Sequence, residues 1–450
     1  MKQVKQFLGI LFIMSMMISC VTDNNYRSDV SMFNDGWRFF KVDSSMQIDE
    51  KQITQGLFPS QTLEVRLPHT PCIEPLVVND QWQGICYYAK SFLLEEKDAK
   101  QNIFLKFEGA MNTAEIWLNG VYMNKHIGGY LPFTIDISKS IRTDSLNMIV
   151  VRLDNRDNPT TGPKPLKELD FNTYGGIYRN VWLIKKAPVY ISDPVYANRK
   201  GSGGIIVKTK DISKRSATVT IGTHIINSTT ESKNITIEHS IYLKNGNQVL
   251  KGMTKSIIEA NSDKKIDYTS KVDNPSLWSP DTPNLYLLET KLYVDDRLAD
   301  QETNQIGIRD INISEKGLYL NGVKTFLRGV NRHQEYPYIG YALSDEAQYR
   351  DAYKIKAAGF DYVRASHYPP SPAFLKACDE LGIFVLDAIL GWQYFGDSSF
   401  IEHSKKSARE LIRRDRNHPC VLAWELSINE TPMPEEFMKE MNYNKKNEYG

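Results

Sequence analysis

The apolar positions of this 450-residue chain change their period along its length. Over residues 28–187, short runs recur at close spacing: Asn102–Glu108, Thr113–Leu118, Asn147–Asp154 and Asn180–Ile184. Alternation at period two sets one face of a strand on a core and the other towards solvent. Asn119-Gly120 and Gly128-Gly129 are turn signals between runs. Trp37, Phe39, Trp82, Tyr87, Tyr88, Trp117 and Trp182 supply large apolar faces. The packing predicted from these is an all-β jelly-roll sandwich, an architecture that often binds sugars. Residues 188–308 continue in β-structure. Ala217–Ile226 and Asn234–Leu243 alternate, and Asn245-Gly246 closes a hairpin before Gln248–Leu250. About 120 residues of short strands fit an immunoglobulin-like β-sandwich, with no residue that looks reactive.

The third domain is taken as residues 309–450, and its new pattern is clear from about residue 317. Short apolar strands now alternate with helical stretches. Strands are predicted at Thr325–Val330, Tyr362–Ala365, Ile383–Leu386 and Cys420–Leu426. Helices are predicted from the Ser344 cap to Ala358, over Ser371–Leu381 with Gly382 as stop, over His403–Arg416 and over Thr431–Asn447. Continuous apolar strands separated by amphipathic helices mean a parallel sheet covered by helices. Four β/α units fit here, whereas a closed barrel needs about 250 residues. The expectation is the N-terminal half of a (β/α)8 TIM barrel.

Composition narrows the function classes. Apolar residues make up 41% and charged residues 24%, as in soluble globular proteins. The formal net charge is +1 with no block of like charge, which argues against a nucleic-acid partner. The N-terminus reads as a targeting segment. Lys2 and Lys5 precede the apolar run Phe7–Ile18, which is too short to span a bilayer as a mature helix. Ser19-Cys20 then resembles a bacterial lipobox, so residues 1–20 are read as a lipoprotein signal peptide with Cys20 as the lipidated residue. The alternative is an ordinary cleaved signal with an incidental cysteine. The predicted location is the cell envelope, lipid-anchored on a periplasmic or outer-membrane surface. Cys72, Cys86, Cys378 and Cys420 lack zinc-type spacing and read as small buried residues, although Cys72 and Cys86 could pair.

Chemistry concentrates after the fourth strand. Asn429-Glu430 places a carboxylic acid behind an amide at a strand C-terminus, where barrel enzymes keep their reacting groups. It is the arrangement expected of a glycosidase general acid. Glu430 could instead be a carboxylate favouring the dipole of the helix that follows Pro434. Glu425 is a rival carboxylate in the same place.

These residues sit among blocks that resemble glycoside hydrolase family 2, the β-galactosidase and β-glucuronidase family. The resemblance runs from about Phe33 to Pro434. It lies in FNDGWRF (33–39), QGICYYAKSF (83–92), FEGAMNTAEIWLNG (107–120), LDFNTYGGIYRNVWL (169–183), NPSLWSPDTPNLY (274–286), LNGVKTFLRGVNRHQEYPYIG (320–340), VRASHYPPSP (363–372) and RNHPCVLAWELSINE (416–430). It implies a retaining exo-β-glycosidase, β-galactosidase-like first and β-glucuronidase or another β-glycosidase second. The substrate would be a β-linked oligosaccharide or glycan.

The resemblance also implies residue roles. Glu430 matches the general acid/base, which would need burial and a charged neighbour to hold its proton. Asn429 matches the amide that holds a sugar hydroxyl. Arg364 matches the arginine that keeps the nucleophile's carboxylate ionised. His367 and His333 match sugar ligands at strand ends, and Asp170 an acidic residue lent by the sandwich. Four residues separate Trp424 from Asn429, one more than the family's usual three, so the strand end must bulge or turn one residue later. Ala388 stands where the family often has an acid, and no Glu-x-His follows, so no catalytic magnesium, other metal or cofactor is expected. Trp392 is a candidate for stacking on a sugar face, with aromatic packing under the barrel rim as the alternative. The family's nucleophile belongs to a seventh strand, and Glu435, Glu436, Glu440 and Glu448 all lie on the helix after the fourth. The chain alone is therefore expected to be inactive. It would be a piece of a longer enzyme, one half of a barrel completed by a separate chain, or a non-catalytic carbohydrate-binding remnant.

Overall fold

The computed structural model describes residues 28–43, 46–72 and 79–449. The predicted signal segment and Cys20 lie outside the described residues. The first domain is a sandwich of two antiparallel sheets. One has the order Asp29–Met32, Val181–Lys186, Asn102–Phe107, Phe133–Asp136. The other has six strands, with Ile85–Phe92 and Asn147–Asp154 at its centre. Alternate residues of both sheets, among them Trp37, Tyr88, Leu105, Phe107, Ile116 and Val151, fill the space between. Asn119 and Gly120 take φ of 53° and 79°, the left-handed pair that a tight hairpin turn requires. The second domain packs two four-stranded sheets around isoleucine-rich strands, including Ser216–Asn227 and Lys233–Leu243. Cys86, Cys378 and Cys420 are buried free thiols, so the Cys72–Cys86 pairing is not formed.

The third domain is four β/α units: β1 (Gly329–Arg332), α1 (Asp345–Ala357), β2 (Tyr362–Ala365), α2 (Pro372–Leu381), β3 (Phe384–Ala388), α3 (Ser398–Asp415), β4 (Val421–Glu425) and α4 (Glu435–Tyr449). The strands form one parallel sheet in sequence order, open at β1 and β4. Ser344, Ser371 and Asp397 cap the first three helices, each side chain accepting from first-turn amides. Gly382 ends α2 with φ 72°, where a Cβ would lie 2.3 Å from the Pro280 carbonyl oxygen. Phe374, Leu375, Phe384, Val385 and Val421 form the layer between sheet and helices.

Three boundaries of the third domain differ from expectation by four residues or more. β1 begins at Gly329 rather than Thr325, because pairing starts where Gly329 lies against Tyr362. Val323–Lys324 joins a small antiparallel sheet with Ile311–Ser314 and Gly317–Leu320 instead. α3 starts five residues early because Asp397 supplies a cap that periodicity alone does not reveal. α4 starts at Glu435 rather than Thr431, since Pro432 and Pro434 keep the preceding residues out of helix.

The RNHP segment turns out to dock domains. Arg416 donates to the carbonyls of Ser202 and Gly203, and Asn417 bonds both the Val207 amide and the Ile205 carbonyl. His418 Nδ1 lies 2.5 Å from Asp379 Oδ2. Nearby, Arg413 grips Glu448 with two bonds of 2.8 and 2.7 Å and reaches Asn198 at 2.7 Å. Both charged partners are almost fully buried, at 3% and 2% side-chain exposure. Breaking such a pair leaves one charge uncompensated. Arg413→Ala should therefore lower unfolding free energy by about 3–5 kcal/mol, read from denaturant midpoints. The double change to Met at 413 and 448 should cost less than either truncation alone. Equal losses in the single and double variants would refute this account.

Candidate functional site

The parallel register brings the C-terminal ends of β2, β3 and β4 to one level. Arg364 pairs with Leu386, and Ala388 with Glu425. Side chains two apart share a face, so Arg364 and Glu425 meet over the sheet. Arg364 Nε and Nη2 donate to Glu425 at 2.9 and 2.6 Å, and Nη2 also donates to Asn429 Oδ1 at 2.8 Å. The hydrogen bonds and charge of Glu425 raise the guanidinium pKa above its ordinary value. The sequence reading paired Arg364 with a nucleophile from a later strand. In the structure its carboxylate partner is Glu425. That bidentate engagement makes Glu425 a poor candidate for the proton donor.

Beyond Glu425 the chain leaves the sheet, then returns to make a parallel bridge between Asn429 and Trp392. The Gln393 amide donates to the Asn429 carbonyl at 3.0 Å. Glu430 follows at φ 51°, a left-handed conformation that costs a non-glycine residue energy. Its side chain is exposed and accepts a 2.6 Å bond from Gln393 Nε2. One further irregularity lies before Trp424: the β3–β4 register slips between Val385 and Leu386, leaving Leu422 as the extra residue. The spacing change after Trp424 is absorbed by the excursion through Leu426–Ile428.

The two histidines form the opposite wall. His333 Nδ1 lies 3.2 Å from the Tyr368 hydroxyl, and its ring stacks on Phe171 with centroids 5.3 Å apart. His367 meets His333 edge-on at 5.8 Å. It is buried, and its Nδ1 has no hydrogen-bond partner among the described residues. Burial, then the Arg364 and His333 charges, push its pKa down to about 4. Burial likewise lowers the His333 pKa. Asp170 is exposed on the sandwich loop, close enough for its charge to oppose the lowering at both rings. The structure thus brings together Arg364, Asn429, His367, His333 and Asp170, with Glu430 at the margin. Trp392 takes the packing alternative: it is 6% exposed and meets Phe171 edge-on at 6.3 Å.

Sequence reasoning missed Gln393, Phe171 and Glu335. Glu335 Oε2 accepts from Asn172 Nδ2 at 3.0 Å and from the Tyr174 hydroxyl at 3.1 Å, tying the sandwich loop to the end of β1. Nothing in their spacing marks these residues, because each acts on a segment distant in the chain.

Comparison with known proteins agrees with this geometry. Three family models match in succession: the sugar binding domain of glycosyl hydrolases family 2 over residues 31–187, the family 2 central domain over 204–309, and the family 2 TIM barrel domain over 311–448. The chain belongs to glycosyl hydrolases family 2. Among family 2 relatives, a beta-galactosidase of Thermoanaerobacter pseudethanolicus is 33% identical over 423 residues, covering 92% of this chain and 53% of that protein. A beta-galactosidase of Thermoanaerobacterium thermosulfurigenes is 35% identical over 382 residues, covering 84% and 52%. The crystal structure of a Bacteroides uniformis beta-glucuronidase superposes with a TM-score of 0.81 at 28% identity, covering 92% of this chain and 49% of that one. The chain spans about half the length of the curated relatives it matches.

The histidine environment has a measurable consequence. An unfolded histidine titrates near 6.5, whereas burial pushes folded His367 down to about 4. Between these values the unfolded state binds the extra proton. Burying neutral His367 therefore stabilises the fold above pH 6.5, and that contribution is lost as pH falls towards 4. Proton resonances of the His367 ring should show the neutral form persisting to about pH 4. Arg364→Gln removes a cationic neighbour and should raise that midpoint; a lower midpoint would contradict the assignment.

Proposed function

We propose that this chain supplies the acid/base wall of a retaining exo-β-glycosidase of β-galactosidase type. The observation that carries the reading is the convergence of Arg364, Asn429, Glu430, His367 and His333 on one end of a parallel sheet. That is where substrate meets the protein in barrel enzymes. In this mechanism Glu430 protonates the glycosidic oxygen as the bond to the anomeric carbon breaks. A second carboxylate about 5–5.5 Å away attacks that carbon from the opposite face. Glu430 then takes a proton from water as it hydrolyses the glycosyl-enzyme ester, returning both carboxyl groups to their starting state. The second carboxylate comes from barrel strands that these four units do not include. Asn429 is the amide placed to hold a sugar hydroxyl. The unpartnered Nδ1 of His367 suits it to a hydroxyl as well, because a buried polar atom without a partner gains one when substrate binds.

The test joins this chain to the remaining barrel strands of a family 2 relative and measures hydrolysis of 4-nitrophenyl β-D-galactoside beside the matching glucuronide. The galactoside should be the better substrate. Glu430→Gln should lower kcat/KM by about 10²–10⁴-fold, and methanolysis should give the β-methyl glycoside. Full activity in Glu430→Gln with loss in Glu425→Gln would reassign the acid. No activity in any completed barrel, with saccharide binding retained, would favour a non-catalytic glycan-binding protein.

We also propose that Cys20 carries a lipid anchor in the cell envelope, on the strength of the Lys2/Lys5, Phe7–Ile18 and Ser19-Cys20 pattern. Cys20→Ala should move the protein from the membrane to the soluble fraction. Unchanged membrane recovery would overturn it.

A further inference from the structure

The outer face of the sandwich's smaller sheet is apolar where an antiparallel sheet turned to water is ordinarily polar. Strand alternation sends Leu105, Ile135 and Leu183 into the core. It leaves Val30, Phe104, Trp182 and Ile184 on the opposite side, with Val30 54% exposed. The chain then turns back over this face. Tyr190 and Tyr196, with Glu302 from the second domain, wall a pocket of about 310 Å³. Tyr196 packs edge-on against Phe104 at 5.5 Å and is 42% exposed. Among the described residues, none of the barrel lines the pocket, although Glu108 and Glu302 also line an adjoining cleft with Asp345 and Tyr349 of α1.

Charged groups are fixed around this aromatic floor. The Trp182 indole donates to Glu108 Oε1 at 2.7 Å. Lys106 bonds Asp193 at 2.7 Å, and Lys186 bonds Asp300 and Glu302 Oε1 at 2.9 and 3.0 Å. Glu108 and Glu302 each engage through one oxygen, leaving the other as an acceptor. The rim sets Lys106 and Lys186 against Glu108, Asp193 and Glu302, a formal excess of negative charge that disfavours an anionic ligand. A purely apolar ligand would leave the rim desolvated without compensation. A ligand with one C–H face and an edge of hydroxyls satisfies both surfaces, and the volume suits a single small ring.

We propose that this pocket is a second carbohydrate site, separate from the strand ends of the barrel, that takes one pyranose ring of a β-linked glycan. The ring's C–H face lies on Trp182 and Tyr196, above the buried Phe104, and its hydroxyls bond Glu108, Glu302 and Lys106. The choice of glycan rests on the glycosidase reading, but the site is formed without the barrel and is tested by binding alone. The probes are methyl β-D-galactopyranoside and methyl β-D-glucopyranoside, titrated into the full chain by calorimetry and by saturation-transfer NMR. His367→Ala separates this site from the barrel wall and should leave it unchanged. Tyr196→Ala, at a half-exposed position that tolerates truncation, should weaken binding by about tenfold or more. Trp182→Ala should do the same and abolish quenching of indole fluorescence by the sugar. No saccharide binding, or binding abolished by His367→Ala and untouched by Tyr196→Ala, would overturn the proposal. Tyr196-dependent binding in a completed barrel that hydrolyses nothing would uphold this site and refute the enzyme.

Discussion

The bidentate pair between Arg364 and Glu425 is the interaction on which the strand ends depend. It spans from β2 to β4 across β3, where Leu386 pairs with Arg364 and Ala388 with Glu425. The same guanidinium holds Asn429, which in turn bridges Trp392, and Gln393 from that bridge holds Glu430. Charge-assisted, planar and two-pronged contacts carry orientation as well as energy. One arginine thereby sets the direction in which the chain leaves the sheet.

The second constraint is the seam between sandwich and barrel. Tyr130 stacks on Tyr368 at 4.5 Å, and the Tyr341 hydroxyl donates to the Asn172 carbonyl at 2.6 Å. Buried Arg179 donates to the carbonyls of Tyr130 and Pro369 and to Gln334 Oε1. Burial pulls the Arg179 pKa below its ordinary value, so these carbonyl dipoles stand in for lost water. The seam holds Phe171 against both histidines and keeps Asp170 beside them. A domain distant in sequence becomes part of the site because its loop is clamped by Glu335 and Tyr341 rather than left to diffuse.

Much of the architecture was legible in the chain. Period-two runs marked Thr113–Leu118 and Asn147–Asp154 to the residue, and Asn119-Gly120 marked the turn between strands. Ser344, Ser371 and Gly382 marked the limits of α1 and α2. What failed did so where local signals compete: Asp397 began α3 early, and two prolines delayed α4. RNHP, the head of a block that resembles the family, proved to be a domain joint in Arg416 and Asn417. Only its continuation into Asn429 and Glu430 reaches the strand ends.

The sequence by itself determined the three-domain order, the apolar strand that carries Trp424, and the residue types available for glycoside chemistry. These follow from periodicity and capping, which act over a few residues. Only the tertiary structure decided that Arg364 holds Glu425, that Gln393 holds Glu430, that Trp392 is packed away, and that an aromatic pocket forms on the far face of the sandwich. Each of those depends on side chains dozens to hundreds of residues apart, brought within 3 to 6 Å by sheet register and domain docking. No periodicity along the chain encodes such a meeting.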